Sequence, residues 1–348
     1  MPSPASLPTP WRRQLLATSL LWPLRAVPAP PAPTPAAGTV WRVGAGLPIS
    51  RIADAIRQAA DGDTIAILPG DYVGDVAVIH QRRLSLVGLG TGLQDRPRLL
   101  AAGQQAEGKA IWVVRDGDIR VAGLHFEGAR VADRNGAGIR FEKGHLQLTQ
   151  CRFTNNQNGV LTGDDIDSSL MIDGCDFGEA PVNPGSLPHL LYVGRIGQVS
   201  VQRSRFRAGH DGHLIKSRAR QTSLIGNLLD DGPTGQASYE IDLPEGGDAL
   251  VEDNTVVQSA FTQNPVMLAY GAEGGHWQVN QLRLRRNTCI NRLPSGGWFV
   301  RVWAERLPGP AGVLSQGNRY LGPGSLLLGP AGRSVGDQRG PVPPAAPA

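Results

Sequence analysis

A short motif recurs nine times along this 348-residue chain, and nothing else in the sequence restricts its folding so strongly. It reads apolar, two spacers, a fixed ladder position, one spacer, apolar. The copies lie at 86–89, 121–126, 148–153, 172–177, 201–206, 224–229, 251–256 and 284–289, with a weaker one at 315–320. The ladder positions are Leu89, Leu124, Cys151, Cys175, Ser204, Asn227, Asn254, Asn287 and Asn318. From Leu89 to Asn318 is 229 residues in eight intervals, about 29 each, a period that belongs to solenoids. Intervals of 23 to 35 are too uneven for an array of helical repeats, in which every unit keeps its length. They suit a coil of stacked strands whose connecting loops vary. With 45 glycines, 28 prolines and 5% aromatics, short strands and turns are favoured over long helices. A run of asparagines at one bend has a structural explanation, since stacked amides bond one another and the backbone inside a coil.

Each turn carries a second apolar strand between ladder motifs. Aligning three of these strands by their distance to the next ladder motif turns Leu191, Ile215 and Ile241 inward. Period-two alternation then turns Tyr192, Lys216 and Asp242 outward in one column, with roughly 5 Å between turns. Arg140, Glu142, Glu240 and Arg301 are expected to extend the same face. By the same alternation His213 shares the inward parity of Ile215 and reads as a partly buried structural histidine, while His210 and Asp211 fall on a connecting loop.

The segment 209–218 is the best candidate for a site. It holds His210, His213, Lys216 and Arg218 within nine residues, and Lys216 is one of only three lysines in a chain with 34 Lys plus Arg. A lysine crowded by other cations can lose its proton more readily, which arginine cannot usefully do.

Ahead of the repeats, Ile52, Ala55, Ile56 and Ala59 recur at helical spacing behind Ser50, a natural N-cap. An extended segment ending in Pro69-Gly70 follows. A helix there would cover the open end of the coil. The expected organisation is a leader at 1–37, a cap at 38–75, the coil at 76–328 and a disordered Gly/Pro/Ala-rich tail at 329–348. Within the leader, Arg12-Arg13 precede an apolar run and an Ala/Pro stretch, the order of an export signal, so a periplasmic or extracellular location is expected. That run is too short to span a bilayer.

The net charge of +4 comes from scattered residues without a basic stripe, which argues against nucleic acid and is compatible with an acidic polysaccharide. Cys151, Cys175 and Cys289 form no paired framework and no metal-ligand spacing, so they read as stacked core thiols. No metal or cofactor is expected, and a monomer is.

From about residue 41 to 328 the chain resembles the right-handed parallel β-helix (pectate-lyase-like) superfamily, on the strength of the cap and the repeat. Locally, Ile215-Lys216-Ser217, with Asn227 eleven residues after Lys216, resembles the Lys-Ser motif of the β-helical alginate lyase and chondroitinase B group. The resemblance implies that Lys216 is the base that removes the C5 proton of a uronate. That group carries an arginine on the following turn, where this chain reads Glu240-Ile241-Asp242 and only Arg218 or Arg301 could substitute. Its acidic calcium ligands have no counterpart here.

Three functional readings remain open. The leading one is a polysaccharide lyase or epimerase, with Lys216 as base, Tyr192 as acid, and Arg218, His210 and His213 as catalytic neighbours. Asp242, Glu240, Arg140, Arg301 and Asp211 would bind substrate. The second is a glycan-binding or structural coil using Tyr192, Trp298 and Trp303. The third is a glycoside hydrolase using Glu240 and Asp242 as paired carboxyl groups, with Asp211 as a further candidate. The plainest alternative is an ordinary surface ion pair between Lys216 and Asp242.

Overall fold

A computed structural model of the chain describes residues 38–344 except 93 and 183–186. The leader therefore lies outside the described residues. The described chain is all-β, a right-handed parallel β-helix with one short helix, Ile52–Gln58, at its N-terminal end. Three parallel sheets of 12, 10 and 11 strands make up the coil. One turn illustrates the path. His145–Thr149 lies in the first sheet, Cys151 makes the corner, Arg152–Thr154 lies in the third sheet, and Asn158–Thr162 in the second.

The helix covers the apolar opening with Ile52, Ala53, Ala55 and Ile56, all buried. Ser50 does not cap it. Arg51 is the N-cap residue and makes no side-chain cap bond. The free amides of Ile52 and Ala53 instead donate to the carboxylate of Asp75, at 2.6 and 3.0 Å. At the other end, Gln81 Nε2 donates to the carbonyls of Ile56 and Ala59. The first turn of the coil thus satisfies both ends of its own lid.

Inside, the ladder is a single chain of hydrogen bonds. The Cys151 amide donates to Cys175 Sγ at 3.3 Å, the Cys175 amide to Ser204 Oγ at 3.1 Å, and the Ser204 amide to Asn227 Oδ1 at 2.9 Å. Asn227, Asn254 and Asn287 each pass the same bond to the next asparagine at 2.8–3.0 Å. Asn318 passes it to Asp337 Oδ1 at 2.7 Å. Asparagine suits the position because its oxygen accepts from the turn before while its Nδ2 donates to a carbonyl of that same preceding turn, as Asn254 does to Leu224 at 2.9 Å. All three thiols are free and buried. Beside the ladder, Phe126, Phe153, Phe177 and Phe206 stack with ring centroids 4.7–5.1 Å apart.

Two expectations need correction. Leu89 is 42% exposed, so the 86–89 copy adds no rung to the buried ladder. The tail is not uniformly unstructured, because Arg333–Val335 and Gln338–Gly340 extend the first and third sheets and bring Asp337 under Asn318. Among the described residues, no helix is long and apolar enough to cross a membrane.

Candidate functional site

The outer face of the second sheet carries an unbroken row fixed by strand register. It runs Val78, Val113, Arg140, Leu161, Tyr192, Lys216, Asp242, Ala269, Arg301, Leu327. Leu191, Ile215 and Ile241 face the core, each fully buried, and Tyr192, Lys216 and Asp242 stand side by side opposite them, as alternation requires. The row is apolar near its N-terminal end and polar in its middle.

Strict alternation fails one residue earlier. Leu190 and Leu191 both belong to the core, as do Leu214 and Ile215, Met267 and Leu268, and Phe299 and Val300. Two consecutive inward residues shift what precedes them to the outside. In the preceding turns the extra inward position is glycine, because a Cβ on Gly138 would meet Phe153 and Phe126 at 2.9 and 3.1 Å, and one on Gly159 would meet Phe177 at 2.8 Å. A second outer row results, in which His189 and His213 stack at 4.7 Å and His213 and Tyr239 at 4.8 Å. His213 is therefore an outward residue, not an inward one. Glu240 is moved the opposite way. It is fully buried inside the coil, where Gln258 Nε2 donates to its Oε2 at 3.2 Å. Burial pushes its carboxyl well above the ordinary range. Glu240 cannot bind an outside substrate or pair with Asp242 for hydrolysis.

Lys216 and Asp242 are on the outer face yet covered, at 7% and 2% exposure. The cover comes from loops that supply carboxylates. Lys216 Nζ lies 2.6 Å from Glu273 Oε1 and 3.5 Å from Asp242 Oδ2. Arg218 pairs with the other oxygen of Glu273, lies 3.1 Å from Glu245 Oε1, and donates to the Tyr192 hydroxyl at 3.1 Å. Arg195 adds two hydrogen bonds to Glu245, at 2.6 and 2.8 Å. The cations expected to crowd Lys216 are thus themselves neutralised. Nor is the Lys216–Asp242 pair an ordinary surface contact, since both groups are desolvated.

Protonation in the cluster is set mainly by burial. Burial raises the Asp242 carboxyl to about 7, against the opposing pull of Lys216. Burial, with Lys216 and Arg218 nearby, pushes His189 down to about 3, and burial pushes His213 well below its ordinary value. Both imidazoles are neutral near pH 7. His189 Nδ1 accepts from the His213 amide at 2.9 Å, and His213 Nδ1 accepts from the Tyr239 amide at 3.2 Å. Each ring therefore carries its proton on Nε2, which for His213 lies 3.3 Å from Asp242 Oδ2. Asp242 Oδ1 is buried without a partner.

Beside the cluster an open groove of about 460 Å³ is lined by Asn158, Thr162, His189, Tyr192, Arg140 and Asp133 among others. Arg140 lies on the row but is held by Glu142, which also takes Lys109 at 2.6 Å. Arg301 lies two strands beyond Asp242, stacked on Trp298 and Trp303 at 4.9 and 4.5 Å from their rings. His210 and Asp211 contact each other at 3.3 Å on the loop, and Asp211 is held by Gln263. Among the described residues, the partners of Lys216 are Glu273 and Asp242, not His210 or Asp211. Among the described residues, no group of three His, Cys, Asp or Glu side chains could hold a metal ion.

Sequence reasoning missed His189, Asn158, Glu273 and Arg195, whereas the polar loop Glu245–Asp248 is visible beside the outward face. His189 left a readable signal, since it precedes Tyr192 by the three residues that separate His213 from Lys216. Glu273 and Arg195 left none. No protein-family model matches this sequence, and no curated protein matches it.

Proposed function

We propose that this chain acts on an acidic polysaccharide, by β-elimination or C5 epimerisation of a uronate, in the manner of a pectate-lyase-like β-helix. The observation that carries this reading is the registered trio Tyr192, Lys216 and Asp242 beneath the Arg218 guanidinium, next to an open groove. The ion pairs around Lys216 favour a revised role for it. Lys216 and Arg218 would hold the uronate carboxylate and stabilise the charge that develops on it, and Asp242 takes over as base. A carboxyl that titrates near neutrality can accept the C5 proton at working pH. Tyr192 and Asp242 flank Lys216, about 10 Å apart along the sheet, so they can serve opposite sides of one sugar. In elimination, the C5–H electrons form the C4–C5 double bond as the C4–O4 bond breaks, and the Tyr192 hydroxyl protonates O4. In epimerisation, Tyr192 returns a proton to C5 from the other face. His189 presents a neutral N–H donor to the same groove.

The test is incubation of the full chain with uronate polymers in deuterated water. Unsaturated product is read by ultraviolet absorbance and C5 deuterium by NMR. Either signal is the expected result, and neither signal on any uronate polymer rejects the reading. A non-catalytic glycan-binding coil is the second reading, favoured by one observation, the Trp298–Arg301–Trp303 stack on the same face.

A further inference from the structure

The two cations at the centre of the cluster are built in, while the carboxylate that joins them is not. Lys216 and Arg218 side chains are 9% and 15% exposed and rise from the second sheet, whereas the Glu273 side chain is 44% exposed. Glu273 sits in the Gly271-Ala272-Glu273-Gly274-Gly275 loop, and its backbone amide is fixed to the Pro244 carbonyl at 3.0 Å. Rotation of the side chain alone would release it, without movement of the loop. Each cation would keep another partner, Asp242 for Lys216 and Glu245 for Arg218. Those partners differ from Glu273, being only 3% and 7% exposed. Burial pushes the Glu273 carboxyl up, but the bond from Lys216 and the charges of Lys216 and Arg218 outweigh it and hold it ionised.

We infer that Glu273 is an internal plug, a carboxylate of the protein occupying the seat between Lys216 and Arg218 that a carboxylate of an acidic glycan takes when it binds. This rests on the uronate reading above. Its consequence is selective. An acidic glycan exchanges one carboxylate for another and leaves the cations paired. A neutral or esterified glycan would have to leave Glu273 in place, or expose two cations with less compensation. The plug thereby sets a threshold of affinity and a preference for charged ligand.

The experiment is calorimetric titration of the full chain with tetramers of galacturonate and of mannuronate, and with their methyl esters. Glu273→Ala empties the seat at a solvent-exposed position, so thermal unfolding close to wild type is expected. At least one acid tetramer should bind that variant about tenfold or more tightly than it binds wild type, with no gain for the esters. Adding Lys216→Gln should cancel the gain. Unchanged or weaker binding of both acids, an equal gain with the esters, or no binding by either protein overturns the plug. Solvent-deuterium exchange at C5, read on the same samples, keeps the two ideas separable. A binding gain without exchange removes the enzymatic reading and leaves the plug. Exchange by wild type with no binding gain in Glu273→Ala removes the plug and leaves the enzymatic reading.

Discussion

The coil builds two columns with the same register and fills them in opposite ways. The interior column, Cys151 through Asp337, repeats one bond from turn to turn, and every member between its two ends both gives and receives. The exterior column repeats nothing. Tyr192, Lys216 and Asp242 are neighbours with different chemistries, and the network around them draws on carboxylates from distant loops, with Glu273 57 residues beyond Lys216 and Glu245 50 residues beyond Arg195. A repeated, self-satisfied column is what stability asks for. A non-repeating column of desolvated charges beside a groove adds little stability, because burying ions costs about as much as pairing them returns. The proposed function gives that composition a reason that stability does not.

That contrast can be broken at several points. Asn254 carries bonds to Asn227, Asn287 and the Leu224 carbonyl. Asn254→Ala strands those buried partners and should lower stability by about 3–5 kcal/mol, read from denaturant unfolding, while any turnover by the folded fraction is unchanged. An equally large loss of stability from Tyr192→Phe would erase the distinction between the columns. Tyr192→Phe removes one hydroxyl that accepts from Arg218. It should cost under about 1 kcal/mol of stability but about 100-fold in turnover, read as initial rate on a uronate polymer.

The pH dependence of stability offers a further break. The Asp242 carboxyl rises from 3.8 to about 7 on folding, so the folded chain holds this proton more tightly than the unfolded chain. Its contribution is complete below about pH 4 and is lost as pH rises through about 7, by at most about 1.4 kcal/mol per pH unit. Asp242→Asn should flatten that part of the stability profile, measured by thermal unfolding between pH 4 and 8. An unchanged slope would show that Asp242 is not the titrating group.

The two columns also differ in how well the sequence announces them. The ladder was readable because each rung restates the one before it. Tyr192, Lys216 and Asp242 were readable as outward neighbours because Leu191, Ile215 and Ile241 are unambiguous core residues one position earlier. Glu240 and His213 were misplaced for a single reason: paired inward residues such as Leu214 and Ile215 interrupt a period of two, and a rule of strict alternation then inverts everything before them. Ser50 was misread as a cap because the capping carboxylate, Asp75, comes from the next turn of the coil. Glu273 and Glu245 reach the cluster through loops whose paths no local pattern encodes. Their presence is the reason the role proposed for Lys216 is one end of a carboxylate clamp and not a crowded base.

The most direct measurement is solvent-deuterium incorporation at C5 of a uronate oligomer by wild type and by Lys216→Ala, with both proteins shown folded by circular dichroism. Incorporation by wild type that falls at least about 100-fold in the variant is the expected result. Equal incorporation by the two proteins would contradict the assignment of this outer column as the working site.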